Sequence, residues 1–114
     1  MELFKSHKAL IVLLLLVAVN VFIWLPQISP QPHVLRVSFL NIGQGDSILI
    51  QSPTGRTMLI DGGPDRSVLR ELPKELPFFS RHIDLLVETH PDKDHIAGLI
   101  DVLKVYDVSY FLNP

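Results

Sequence analysis

Hydrophobic and polar positions alternate differently in three stretches of this chain. From Ala9 to Leu25, 17 residues pass without a charge, and Asn20 is the only polar side chain among them. At about 1.5 Å per residue a helix over this run spans about 26 Å, slightly short of a ~30 Å hydrocarbon core, so its flanks complete the crossing. Phe22 and Trp24 fall where an interfacial belt lies, and Lys5 and Lys8 precede the run, which biases the N-terminus toward the cytoplasm. A cleaved signal peptide would have a shorter core ending in a small-x-small site, whereas this run exits through Phe22-Ile23-Trp24-Leu25-Pro26. A buried core helix would be apolar on one face only. Both are weaker readings than an uncleaved anchor over 9–25 behind a cytoplasmic tail, 1–8, with the remainder outside the cytoplasm.

Three prolines in Pro26-Gln27-Ile28-Ser29-Pro30-Gln31-Pro32-His33 resist both helix and central strand, so 26–33 is expected to be an extended spacer. Beyond it the period drops to two. Val34–Leu40 and Ser47–Gln51 alternate and are rich in β-formers, and Thr57–Ile60 adds a third strand after the Ser52–Arg56 turn. These three are expected to form a meander. The pattern then becomes α/β. A short helix is expected over Asp65–Leu72, capped by Asp65 and stopped near Pro73, with Lys74–Arg81 irregular. Ile83–Thr89 reads as a strand, and Pro91 is expected to keep His90 extended. Ile96, Leu99, Ile100 and Leu103 recur at helical spacing, and Val108–Leu112 is a last strand. A helix crossing between two strands is the unit of a layered α/β domain.

Composition adjusts the picture modestly. Hydrophobic residues make up 47% of the chain, much of the excess lying in the apolar run. From Pro26 onward there are eight Lys/Arg and eleven Asp/Glu, a net charge of −3 with His neutral. That balance excludes a basic, phosphate-coating nucleic-acid binder, although bound divalent cations would change the local sign at a site. With no Cys, disulfides and thiolate-ligated metals are excluded.

The densest chemistry is His90-Pro91-Asp92-Lys93-Asp94-His95, directly after an apolar strand. Neutral imidazole and carboxylate hold zinc or manganese, and a strand end delivering both to one loop suits metal ligation. Pro-Asp-Lys-Asp is also ordinary turn chemistry, but a turn does not explain a His at each end of the run. Gly43-Gln44-Gly45 lacks the Lys-Ser/Thr of a phosphate loop and reads as a turn. His82 reads as a surface histidine, and His7 and His33 have no ligand partner nearby in sequence.

Three segments together, Asn41–Ser47, Leu59-Ile60-Asp61-Gly62-Gly63 and Thr89–Leu99, resemble the metallo-β-lactamase fold superfamily, in particular the extracytoplasmic domain of the ComEC-type competence proteins. The resemblance covers essentially all of 34–114. It implies an αββα sandwich of which this chain holds the first half. It implies that His90 and Asp92 bind a first metal and Asp94 and His95 a second, with Asp94 the candidate catalytic carboxylate. Asp92 stands where the wider superfamily has a second histidine, which hardens that site from zinc toward manganese or magnesium. Asp61 resembles the buried aspartate that supports the metal loop through hydrogen bonds.

The family closes its two-metal site with a later histidine, a bridging aspartate and a final histidine, positions beyond Asn113-Pro114. The domain 34–114 is therefore expected to be incomplete at its C-terminus, with weak or absent binding of the two divalent ions (Zn or Mn). The function implied is a membrane-anchored metal-dependent hydrolase, a phosphodiesterase or nuclease related to DNA uptake, with DNA or another phosphodiester as substrate and a channel protein in trans. The alternative is a non-catalytic fragment or anchored interaction module.

Overall fold

A computed structural model describes residues 2–28 and 34–114. Two units are described separately: an N-terminal helix, and the unit that begins after it. Helix α1, Glu2–Ile28, contains one candidate membrane span, His7–Leu25, with mean hydropathy 2.6. Its side chains from Leu10 to Leu25 are apolar around the whole circumference except at Asn20, as the uncharged run predicts. The helix continues through Ile28, so the first three residues of the expected Pro-rich spacer are helical, and 29–33 lie outside the described residues.

In the second unit the elements are β1 (Arg36–Phe39), β2 (Ile48–Gln51), β3 (Thr57–Ile60), α2 (Ser67–Glu75), β4 (His82–Val87), α3 (Lys93–Val105) and β5 (Asp107–Leu112). They build one five-stranded sheet in sequence order. β1, β2 and β3 are antiparallel neighbours, the meander expected, and the pairings β3–β4 and β4–β5 are parallel, each across a helix. Both helices pack on one face. Leu49, Leu59, Ile83 and Leu86 from the sheet meet Val68, Leu72 and Leu76 from the α2 segment and Leu99, Val102 and Tyr106 from the α3 segment, all buried.

Several boundaries differ from the expectation. Helix α2 does not stop at Pro73 but runs through it to Glu75. Pro73 is exposed, and Leu72 and Leu76 on the buried side are held to the core, where the Leu76 N–H still reaches the Leu72 carbonyl at 3.0 Å. Packing of that stripe outweighs one absent N–H. Asp65 does support the helix start, accepting the Ser67 N–H at 2.8 Å. Strand β4 ends at Val87, so His90 is not part of it. On α3 the inward stripe is Leu99, Val102 and the following Tyr106, while Ile100 and Leu103 are about half exposed.

Alternation along β4 slips at Asp84. Ile83 and Leu86, three apart, are both fully buried, and the register with β5 passes over Asp84 and Ser109. The Asp84 carboxylate takes a place in the ladder, accepting the Thr57 N–H at 2.8 Å and the Thr57 hydroxyl at 3.2 Å.

The other face of the sheet carries two cross-strand rows, Val37–Ile50–Met58–Leu85–Tyr110 and Phe39–Ile48–Ile60–Val87–Leu112. Every residue in them is apolar or aromatic, and none is buried. The described fold is thus one sheet with helices on one side only; of the expected αββα layers, a second sheet is not among the described residues.

Candidate metal centre

Strands β1, β3 and β4 run in one direction, so the turns that follow them, 40–47, 61–66 and 88–92, gather at a single end of the sheet. The three sequence segments singled out above are these turns. Two glycines let the backbones touch. Gly45, at φ +88°, lies so close to Asp94 that an added Cβ would collide with the Asp94 carbonyl oxygen. Gly98, in the second turn of α3, has no room for a Cβ against the Gly62 carbonyl. Hydrogen bonds seal the same contact, from the Gly62 N–H to the His95 carbonyl at 2.7 Å and from the Gly98 N–H to the Gly63 carbonyl at 2.9 Å.

Asp61 is the hub. It is 3% exposed, at φ 58°, a left-handed conformation that Asp tolerates better than most residues. Its N–H reaches the Val87 carbonyl at 2.9 Å, and its carbonyl accepts the Ser47 hydroxyl at 2.9 Å, so turn and strand fix its backbone. Its carboxylate accepts the Thr89 N–H at 2.9 Å on Oδ1, and the Thr89 hydroxyl together with His95 Nδ1, at 3.0 Å, on Oδ2. A carboxylate acceptor puts the proton of His95 on Nδ1 and leaves Nε2 with its lone pair free. The Asp61 hydrogen bond raises the His95 pKa above its ordinary value against an opposing desolvation; the charges of Asp61, Asp94 and Asp46 add to the rise.

Around that imidazole the candidate ligands are arranged unequally. His95 Nε2 stands 3.7 Å from the Asp94 carboxylate. The His90 ring lies alongside, centroids 5.3 Å apart, with Nδ1 3.0 Å from the Thr89 hydroxyl. His90 and His95 therefore lie on the same side of the domain. Asp92 sits at the N-cap of α3 with an extended backbone; its carbonyl accepts the His95 N–H at 2.9 Å, but among the described residues no hydrogen bond or ion pair joins its carboxylate to His90, Asp94 or His95. His82, at the opposite end of β4, is half exposed between Asp84 and Asp107, a surface histidine.

The donor chemistry suits a divalent ion, since Nε2 of an oriented imidazole beside a carboxylate is half of a mixed nitrogen and oxygen shell. The count falls short. Among the described residues no three His, Asp or Glu side chains gather as a metal site. Asp94 and His95 are the candidate pair brought together, and a complete shell needs further donors.

The sequence assigned no individual role to Ser47, Thr89 or Gly98, and marked Gly45 only as part of a turn, not as a contact of Asp94. Thr89 and Ser47 carry no sequence signal beyond their place at strand ends. A glycine inside the apolar-periodic run of α3 is a signal, because it weakens a helix unless close packing requires it.

The family model of the metallo-beta-lactamase superfamily matches residues 40–114. No curated protein matches the chain.

Proposed function

Because the chain belongs to the metallo-beta-lactamase superfamily, a family of metal-dependent hydrolases, we propose that it is a membrane-anchored hydrolase of phosphodiesters, related to the ComEC-type competence proteins and acting on DNA outside the cytoplasm. The observation that carries the hydrolase reading is the orientation of His95 by Asp61, with Nε2 left free beside the Asp94 carboxylate. Divalent ions held by these residues would supply Lewis acidity and a water acidic enough to serve as nucleophile near neutral pH. The residues of this chain do the positioning. Asp61 fixes the tautomer and the ring of His95, Thr89 ties the loop to Asp61, and Asp94 holds negative charge next to the free nitrogen. His90 and Asp92 are the candidate donors for the first ion, and Asp94 and His95 for the second. The apolar helix segment His7–Leu25 is the candidate anchor, and a channel protein in trans is the partner proposed for passage of DNA.

The two apolar rows support the reading of 34–114 as one half of an αββα sandwich, because a sheet face of this character requires a covering layer. That second layer would bring the remaining donors. The absence of a three-ligand cluster among the described residues favours a second reading, in which the chain by itself is a non-catalytic interaction module.

The test uses chain purified from its own membranes in mild detergent, assayed on bis(p-nitrophenyl) phosphate and on short DNA. Hydrolysis that a chelator removes, manganese or zinc restores, and His95→Ala abolishes would support the enzyme. Hydrolysis that is absent, or insensitive to chelator, would contradict it and leave the interaction module.

A further inference from the structure

Strands β1, β3, β4 and β5 all begin at the end of the sheet opposite the metal loop, and this end has a surface of its own. The unit starts there with Val34 and Leu35, 55% and 63% exposed. The turn joining α2 to β4 brings Phe78 and Phe79 to the same end, 81% and 68% exposed and packed edge to face on each other with centroids 4.6 Å apart. The two segments are neighbours in space, since Val34 and Arg36 line one cleft with Pro77, Ser80 and His82. None of these four apolar side chains belongs to the core.

Charge separates the two ends of the unit. Arg36, Arg56, Lys74, Arg81 and Lys104 lie at or near the end that carries the phenylalanines, with Glu75, Asp84 and Asp107 as acids there and with Lys74 and Lys104 paired to Glu71 and Asp101. Asp84 is taken up by Thr57 and Arg56, and among the described residues Arg36 and Arg81 have no carboxylate partner. The metal end carries Asp46, Asp61, Asp65, Glu88, Asp92 and Asp94 against Arg66 and Lys93, and so is the more acidic of the two. Exposed aromatic rings beside unpaired guanidinium groups suit a lipid interface, where rings enter the boundary of the acyl chains and cations meet anionic headgroups. The sequence puts such a surface within reach. Five residues separate Ile28 from Val34, and even fully extended that stretch covers only about 20 Å.

Resting on the anchored reading of His7–Leu25, we propose that this end of the sheet docks on the bilayer surface, with Phe78 and Phe79 inserted at the interface and Arg36 and Arg81 against anionic headgroups. The metal loop then faces away from the membrane, about 20 Å farther out by the length of β4. Substrate would reach the site from solution and not from the lipid plane.

The experiment uses the full chain reconstituted in phosphatidylcholine–phosphatidylglycerol vesicles. Trp24 is the only tryptophan, so Trp24→Phe combined with Phe78→Trp places the sole indole at the proposed contact, and Trp24→Phe with Phe39→Trp places it at the metal end. Lipid brominated on the acyl chains should quench the position-78 indole and its emission should be shifted to the blue, while the position-39 indole should be untouched by the lipid. An unquenched indole at position 78 in chain that resists alkaline carbonate extraction would overturn the docking and leave the anchor standing. A blue-shifted but unquenched indole there would also overturn it, assigning the surface to a protein partner or a second copy. Extraction of the unsubstituted chain by carbonate would overturn the anchor itself, and the docking with it.

Discussion

Replacing Asp61 by Asn tests the support beneath the metal loop. Asn fits the same volume and tolerates φ 58°, so the backbone stays where Gly62 and Gly63 need it. Its carbonyl oxygen keeps the Thr89 N–H, but its amide group now faces the Thr89 hydroxyl and His95 Nδ1, both of which donated to a carboxylate. Hydrogen bonds to charged groups contribute about 1.5–3 kcal/mol each, and imperfect replacements recover part of that, so Asp61→Asn should cost about 2–4 kcal/mol. Against a typical stability of roughly 5–15 kcal/mol the loss is large and measurable. The His95 term has a definite pH dependence. The folded-state pKa of His95 is raised above the ordinary 6.5, so its pairing with Asp61 contributes fully below about pH 6.5 and the contribution is lost as pH rises through the folded value. Urea unfolding of detergent-solubilised chain, followed by circular dichroism at about pH 6 and again at about pH 9, should show the larger gap between parent and variant at the lower pH. Equal stability of the two proteins at both pH values, within about 0.5 kcal/mol, would refute the role given to Asp61.

Gly98→Ala should destabilise by about 1–3 kcal/mol or more in the same urea assay, because the new methyl meets the Gly62 carbonyl, which is backbone and cannot rotate away. Asp84 has a pKa held below its ordinary value, first by the Thr57 N–H, so its stabilisation is present above about pH 4 and is lost as pH falls through the folded value. Asp84→Asn should therefore weaken the fold at neutral pH, with the gap to the parent closing on acidification in a pH series of unfolding curves. The uncovered rows should make isolated chain bind an environment-sensitive apolar dye and self-associate, and Tyr110→Glu with Leu112→Lys should reduce both, as read by fluorescence and sedimentation.

Much of this architecture was legible because it rests on short-range rules. Alternation marked β2 and β3, and the Gly-rich turn and the Asp61-Gly62-Gly63 turn marked their ends. The His90–His95 run was singled out through its composition, and its contact with Asp61 through resemblance. Contacts between distant segments left no local trace. Nothing around Thr57 announces that Asp84, 27 residues later, will accept its N–H, and so the slip in β4 was missed. Pro73 argued for a helix end, yet the burial of Leu72 and Leu76 carried α2 past it. Apolar spacing on α3 suggested Ile96, Leu99, Ile100 and Leu103, whereas the close approach of Gly98 to Gly62 turns Leu99 and Val102 inward. The unequal placement of the candidate side chains, with the Asp94 carboxylate near His95 and that of Asp92 apart, depends on side-chain directions at a helix start that spacing alone does not determine.

The most direct test of the metal-site claim is the nitrogen chemical shift of the His95 imidazole as zinc is added to chain labelled at its histidines. Before zinc, His95 should be the tautomer protonated on Nδ1, held by Asp61. With excess zinc, its Nε2 resonance should move to the position of a ligated nitrogen, saturably and weakly as befits a partial shell, while Nδ1 keeps its proton. The resonance itself should be missing in His95→Ala, which assigns it, and its movement should weaken in Asp94→Asn. A His95 that zinc leaves unchanged, or that is protonated on Nε2 instead, would contradict the reading of this loop as a metal centre.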